Sequence, residues 1–340
     1  MSNKAKNQTG HYPALIHFSD EYPGYSRRRH GRGFTIFDEQ GNRITDKSLI
    51  DRIKNIAIPP VWKEVWICPD PRGHLQATGI DNKGRKQYLY HDSWNRFQQE
   101  TKFDNLAAFG YALPGIRKRI QKDLDQPQWT RERVIALIIG ILDETYIRIG
   151  NKEYLHMNQT HGLTTLRRRH LSVGSRGAVF KYKGKHKKEH IVRISNKRFV
   201  KLVKECSDLP GHEIFRYKND NGSMTPVNSY DVNEYLKNIT GDSFTSKNFR
   251  TWGATVSAIK RYPHAKKRVK ENPRLNLRRA IVKEVAAILN NTIATCEKYY
   301  IHPGVLDALD SFHFSPHRYK ISLTSNLLDF EEKVALAIIG

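Results

Sequence analysis

Close to the C-terminal end, the chain reads Leu289-Asn-Asn-Thr-Ile-Ala-Thr-Cys-Glu-Lys-Tyr-Tyr-Ile-His-Pro303, which sets two phenols, Tyr299 and Tyr300, just before a Pro-Gly stop. A phenol is a weak nucleophile at its free pKa of about 10, yet it can be activated among cations. An enzyme that breaks a phosphodiester without a metal must also neutralise the phosphate. Arginine suits that task, because its fixed fork meets the non-bridging oxygens bidentately and keeps its charge. The departing alkoxide needs a proton, which a lysine or histidine on a mobile element can supply. Two arginines, a lysine and a tyrosine are therefore a chemically sufficient set. The bland reading of a tyrosine pair is amphipathic packing. The residues alone leave Tyr299 or Tyr300 as the attacking phenol, and Lys185, Lys187 or Lys188 as the acid.

Composition narrows the partner. The chain of 340 residues carries a formal charge of +24, with a pI near 9.9. A globular protein this basic is matched to a polyanion, and nucleic acid is the first candidate. Apolar residues at 38% and aromatics at 10% are enough for folded cores in two domains. Cys68, Cys206 and Cys296 are widely separated, so neither a disulfide framework nor a zinc site follows from them. No secretory signal or membrane-length apolar run is visible, and a reducing, cytoplasmic setting is expected.

Phosphate-cradling G-x-x-x-x-G-K-[ST] and metal-binding H-E-x-x-H patterns are missing from the sequence. Asp123-Leu-Asp125 has the spacing of a metal-dependent nuclease site, but it ends a basic helix and precedes Gln-Pro-Gln. It reads as helix-end solvation. No cofactor and no metal are expected.

The elements that must position these groups divide the chain in two. Residues 1–95 read as a small, mostly antiparallel β domain. Its first ten or so residues are polar and expected to be disordered. A turn at Tyr22-Pro-Gly-Tyr25 leads into the basic cluster Arg27–Arg32. Strand-like runs cover Gly33–Phe37, Glu64–Cys68, His74–Ile80 and Lys86–His91, with a short helix capped by Asp46. After Trp94 the periodicity becomes helical, and residues 96–340 form a larger, mainly helical domain. Leu106–Lys122 is one basic amphipathic helix. Thr130 caps the next, whose apolar residues from Val134 to Ile149 recur at helical spacing. Gly150 ends it, so Arg148 is expected at the end of a buried helix, where a cation is favourable in its own right. Between Asn151 and Lys204, fifteen Lys or Arg face only Glu153 and Glu189. Here Ala178–Lys183 and His190–Ile194 alternate as strands of a three-stranded basic region. Helices resume through Asn233–Leu236, Ser246–Ile259 and Leu277–Leu289, and the tail ends in a short helix over Phe330–Ile339.

Taken in order, these segments resemble a known family. Tyr146-Ile-Arg-Ile-Gly150, then Tyr154, then Gly162-Leu-Thr-Thr-Leu166 resembles the first arginine motif of the type IB DNA topoisomerases, of the compact poxvirus and bacterial kind. Phe180-Lys-Tyr-Lys-Gly-Lys185 is similar to the family's catalytic-lysine hairpin, and Ser246-Lys-Asn-Phe-Arg-Thr-Trp-Gly253 to its second arginine motif. Asn291-Thr through Tyr300-Ile-His-Pro303 resembles the tyrosine motif, and Gln87-Tyr-Leu-Tyr90 the DNA-contacting segment of the N-terminal domain. The resemblance covers roughly residues 20–310. Poxvirus members have a histidine where Asn291 stands, whereas the bacterial branch has asparagine; asparagine can donate to a phosphate oxygen but brings no charge. Ile293 stands where proline is common.

The resemblance implies an α+β fold with a β-rich N-terminal clamping domain and a helical catalytic domain of the tyrosine recombinase/topoisomerase IB type. It implies Tyr300 as nucleophile, Arg148 and Arg250 on the phosphate, Asn291 assisting and Lys185 as general acid. DNA contacts are expected from Tyr88, Tyr90, Tyr154, Lys247, Arg167, Arg168 and Arg169. The implied activity is relaxation of supercoiled duplex DNA through a 3′-phosphotyrosyl link without ATP or metal, by a monomer enclosing the duplex as a clamp. In a bacterium it would sit on the nucleoid. A tyrosine site-specific recombinase and a non-enzymatic architectural DNA-binding protein are the alternatives.

Overall fold

The fold was obtained as a computed structural model, which describes residues 14–31, 33–152, 155, 159–242, 244–321 and 325–340, the side chains of Gln99, Glu100, Lys102 and His186 excepted. The chain is α+β and divides into two units, Met1–Lys102 and Phe103–Gly340. The segment expected to be disordered and Tyr154 lie outside the described residues.

The first unit is built on a five-stranded antiparallel sheet of order β2-β1-β3-β4-β5. The strands are β1 (Tyr25–His30), β2 (Gly33–Phe37), β3 (Lys63–Ile67), β4 (Leu75–Ile80) and β5 (Lys86–Tyr90). Residues Arg27–His30 of the basic cluster, read from sequence as the sequel to a turn, belong to strand β1. Its charges are accommodated by aromatic rings on β2: the Arg27 guanidinium lies 4.1 Å from the Phe34 ring centre and that of Arg28 lies 4.8 Å from Phe37. Helix α1 (Lys47–Asn55) starts where expected, because Asp46 Oδ1 accepts from the Ser48 and Leu49 amides at 2.8 and 3.4 Å. Ile36, Ile53, Ile58, Val65, Ile67 and Ala77 form the core of this unit.

Helix α2 (Asp92–Leu124) is longer than its amphipathic stretch and carries Pro114 within it. Helix α3 (Arg131–Thr145) is capped by Thr130, and every residue from Val134 to Leu142 is buried. An all-round apolar helix of this kind is the central element of a core. It stops earlier than the sequence suggests. Tyr146 takes a left-handed conformation (φ 55°, ψ 23°), its amide bonds back to Leu142 O, and Arg148 therefore lies beyond the helix rather than at its end.

A three-stranded sheet follows, with strands β6 (Leu171–Gly174), β7 (Gly177–Lys183) and β8 (Glu189–Ile194) in that order. After it come α4 (Lys197–Asp208), the hairpin β9 (Arg216–Lys218) and β10 (Met224–Pro226), and α5 (Ser229–Thr240). Helix α6 (Ser246–Glu271) continues past Ile259 and Pro263, because Tyr262, Ala265 and Val269 prolong its buried stripe. It packs along α7 (Leu277–Leu289). Helices α8 (Ile293–Tyr299), α9 (Pro303–Leu309) and α10 (Phe330–Ile339) complete the unit.

Of the Asp123/Asp125 pair, only Asp125, whose side chain is 71% exposed, is a solvated helix end. Asp123 is buried and accepts from Tyr235 Oη at 2.6 Å and Arg119 Nε at 2.8 Å, while Asp125 pairs with Arg198 at 2.6 Å. Asp123 thus ties α2 to α5, whereas the Asp125 ion pair lies at the surface and contributes little.

Candidate active site

Arg148 is placed by two glycines. Gly150 (φ +89°) and Gly162 approach so closely that a Cβ on Gly162 would sit 2.5 Å from Gly150 Cα. The approach lets the two segments bond: the Leu163 amide donates to Arg148 O and the Thr164 amide to Ile149 O, each at 2.8 Å. Side chains at either glycine would force the strands of this clip apart. The spacing between Tyr146-Ile-Arg-Ile-Gly150 and Gly162-Leu-Thr-Thr-Leu166 thus fixes the backbone beneath the guanidinium.

Arg250 is on the first turns of α6 and is only 6% exposed. One Nη donates to Tyr146 O in a short hydrogen bond, and the other donates to Leu289 O at 3.1 Å. The Tyr146 ring lies against Gly253, where a Cβ would be 2.2 Å from its nearest ring atom. One residue therefore links the two arginine segments, by its carbonyl to Arg250 and by its chain to Arg148.

Tyr300 and Asn291 come from the segment after α7. Asn290 ends α7 in the left-handed region (φ 51°), and Thr292 caps α8. Asn291 Oδ1 accepts from Arg148 Nη at 2.6 Å. Beyond α8, the Tyr300 carbonyl and the His302 amide both meet Thr255 Oγ1 of α6, at 3.5 and 3.1 Å. The Tyr300 ring lies 5.3 Å from the Arg250 guanidinium, whereas Tyr299 is 39% exposed with Lys298 over its ring. The structure thus gathers Arg148, Arg250, Asn291 and Tyr300, and leaves Tyr299 outside.

The charges act on the phenol. Burial raises the Tyr300 pKa, but Arg250, Arg148 and Lys185 together outweigh it and hold the phenol below its ordinary value. Burial pushes Arg250 down to about 10, with repulsion from Arg148 adding to the fall, so it stays cationic at neutral pH. Two buried donors aimed into this region, Arg250 Nε and Asn291 Nδ2, have no acceptor among the described residues. A tetrahedral or pentavalent phosphate offers the oxygens such donors require.

Lys185 follows strand β7 on an exposed 3-10 turn (Lys185–Lys187). Gly184 before it packs against His190, where a Cβ would come within 2.5 Å of the imidazole. That histidine and Tyr182 were not singled out from sequence. They are register partners across β7 and β8, stacked at 5.3 Å, and both feel Arg148 and Arg250. Burial first, then these arginines and Lys188, pushes the His190 pKa down to about 4. The clue was the strand alternation Ala178, Phe180, Tyr182, which puts Tyr182 on the buried face.

The residues expected to contact DNA are distributed more widely. Tyr88 and Tyr90 stand exposed and stacked on β5 of the first unit, 6.2 Å apart at 12°. In the second unit, Lys247 is exposed on the first turn of α6. Arg167 and Arg169 line a cavity of about 610 Å³ with His161, His170, Lys181 and Lys183. Arg168 instead donates to Leu209 O at 2.5 Å and serves the local backbone.

Comparison with known proteins bears on what this arrangement is. Residues 91–319 match the model of the eukaryotic DNA topoisomerase I catalytic core, and residues 33–81 that of the bacterial DNA topoisomerase IB N-terminal domain. DNA topoisomerase 1B of Acanthamoeba polyphaga mimivirus is 30% identical over 290 residues, covering 82% of this chain and 85% of that one. DNA topoisomerase 1B of vaccinia virus (strain Copenhagen) is 22% identical over 299 residues, covering 82% and 91%. Among solved structures, a site-specific recombinase in a post-cleavage complex aligns with a TM-score of 0.39 and 16% identity over 59% of this chain and 50% of that one, too partial a likeness to bear on activity. The glycine clip under Arg148, the buried Arg250 and the tyrosine held against both lie within the matched core, and the chain belongs to the type IB DNA topoisomerase family.

Proposed function

We propose that this chain relaxes supercoiled duplex DNA by transient single-strand cleavage, with Tyr300 as nucleophile. The observation that carries the reading is the convergence of Arg148, Arg250 and Asn291 on a phenol that the cations hold below its ordinary pKa. Tyr300 Oη gives up its proton to solvent and attacks the scissile phosphorus. The bond to the 5′ oxygen breaks, and the 3′ end remains as a phosphotyrosyl ester. Arg148 and Arg250 neutralise the non-bridging oxygens, and Asn291, oriented by its bond to Arg148, donates its free Nδ2 hydrogen to one of them. Lys185 protonates the departing 5′ oxygen. The cut strand swivels about its partner, and the 5′-hydroxyl then attacks the phosphotyrosine to reseal the backbone. The ester conserves the energy of the broken bond, so this cycle calls for neither ATP nor a metal.

In this reading the protein works as a cytoplasmic monomer that clamps the duplex, with the stacked pair Tyr88 and Tyr90 and the basic residues Lys247, Arg167 and Arg169 facing the backbone. Incubating the protein with negatively supercoiled plasmid in EDTA without ATP tests it. Relaxation accompanied by a covalent protein–DNA adduct is expected. Binding without an adduct would instead mark an architectural protein, and strand exchange between two sites a recombinase.

A further inference from the structure

The last helix, α10, lies beyond the residues matched to the catalytic core, yet it buries a carboxylate, Glu332, beside Val334, Ala335 and Leu336. Glu332 is 4% exposed, and its two oxygens accept four hydrogen bonds. Oε1 takes Arg117 Nη at 2.8 Å and Trp252 Nε1 at 3.0 Å; Oε2 takes the other Arg117 Nη at 2.8 Å and the Asp329 amide at 2.9 Å. Its acceptor capacity is filled.

Each partner leads to the chemistry. Trp252 is two residues after Arg250 on α6, and its ring fits against Gly110 of α2, where a Cβ would meet both Trp252 at 2.5 Å and Leu336 of α10 at 2.8 Å. Arg117 turns its remaining edge to Asp143 near the end of α3, at 2.7 and 3.0 Å, three residues before the Tyr146 cap that carries the chain to Arg148. One guanidinium and one carboxylate thus fasten the two arginine-bearing segments to α10. Such a buried, fully bonded pair holds its geometry tightly, because removing any one member strands the charges of the others.

We propose that α10 is part of the catalytic apparatus, with Glu332 as a positioning residue that sets Arg250 and Arg148 through Trp252 and Arg117–Asp143. The inference rests on the cleavage chemistry proposed above. Glu332 touches neither the phenol nor the phosphate, so its loss should slow cleavage without weakening the encounter with DNA.

The test uses the full-length protein and a nicked duplex that traps the covalent adduct. In Glu332→Gln one oxygen becomes an amide that faces N–H donors. Single-turnover adduct formation should fall by about 10- to 100-fold, the scale of a small misplacement of positioning groups. The Kd for uncut duplex, measured on a Tyr300→Phe background, should change less than about threefold, since the basic surface is untouched. Adding Glu332→Gln to Arg250→Ala should cost little more, because the two act on one element. Trp252→Phe, which keeps the aromatic ring and the Arg117–Glu332 pair, guards against a folding defect and should show a smaller loss of the same kind. A folded Glu332→Gln or Trp252→Phe that melts earlier but cleaves at the wild-type rate overturns the proposal, as does full additivity with Arg250→Ala. Wild-type protein that forms no adduct would instead refute the cleavage reading itself.

Discussion

Replacing Gly253 by alanine probes whether the two arginine segments work as one unit. The new methyl carbon would lie 2.2 Å from the Tyr146 ring, against an ordinary contact that begins at 3.4 Å, so something must move by about 1.2 Å. Helix α6 is buried along this stretch and cannot yield easily. The Tyr146 ring must yield instead, and with it the carbonyl bonded to Arg250 and the chain leading to Arg148. Overpacking costs about 1–3 kcal/mol, while alanine for glycine inside a helix returns about 1 kcal/mol. The variant should therefore stay folded, with a melting temperature within a few degrees of wild type. A displacement of this size in the groups that meet the phosphate should slow cleavage by about 100-fold. Single-turnover adduct formation, read on a denaturing gel beside a thermal melt, measures both quantities. If folded Gly253→Ala cleaves at the wild-type rate, Tyr146 does not couple the arginines and the account of the site is wrong.

Tyr300→Phe should bind duplex DNA and form no adduct, while Tyr299→Phe, altering an exposed ring, should react normally; the opposite outcome would place the nucleophile one residue earlier. Lys185→Ala should lose roughly 10²–10⁴-fold on a normal phosphodiester and recover most of it when sulfur replaces the bridging 5′ oxygen, since a thiolate leaves without a proton. Arg148→Ala and Arg250→Ala should show no such recovery, and equal impairment of Lys185→Ala on both substrates would make it a phosphate clamp. Folding stability should fall as the pH drops from about 6.5 towards 4, because His190 binds its proton in the unfolded chain near its ordinary value but in the folded protein only at about 4. Urea titrations at pH 7 and pH 5 would read this, and His190→Gln should flatten the dependence; an unchanged slope would mean that His190 is not held neutral by its surroundings.

Much of the molecule is written in local sequence. Helix α7 begins and ends where its pattern says, because Asn276 caps it by accepting from the Arg279 amide at 2.8 Å and Asn290 closes it in the left-handed region. Asp46 and Thr130 start their helices for the same reason, and strands β2 and β5 follow runs bounded by glycine turns. Such signals act over a few residues, so the chain reveals them without its fold. The order of the arginine, lysine and tyrosine motifs is likewise a property of the sequence, and it was enough to indicate the family.

What the sequence left open depended on contacts between distant residues. Tyr146 turns left-handed and takes Arg148 off helix α3 where its ring meets Gly253, more than a hundred residues later. Tyr182 and His190 come to the arginines only through the β7–β8 register. Asp123 is buried because Tyr235 of α5 reaches it, and Glu332 matters because Trp252 and Arg117 converge on it. The resemblance already named Tyr300 over Tyr299, but the reason that its ring and not its neighbour's meets the arginine has the same origin. Adjacent residues near the end of a helix point in different directions, and the anchoring of the segment after α8 on Thr255 of α6 decides which phenol faces Arg250. Residue types and spacing supplied the reagents; close approach across the core brought them to one place.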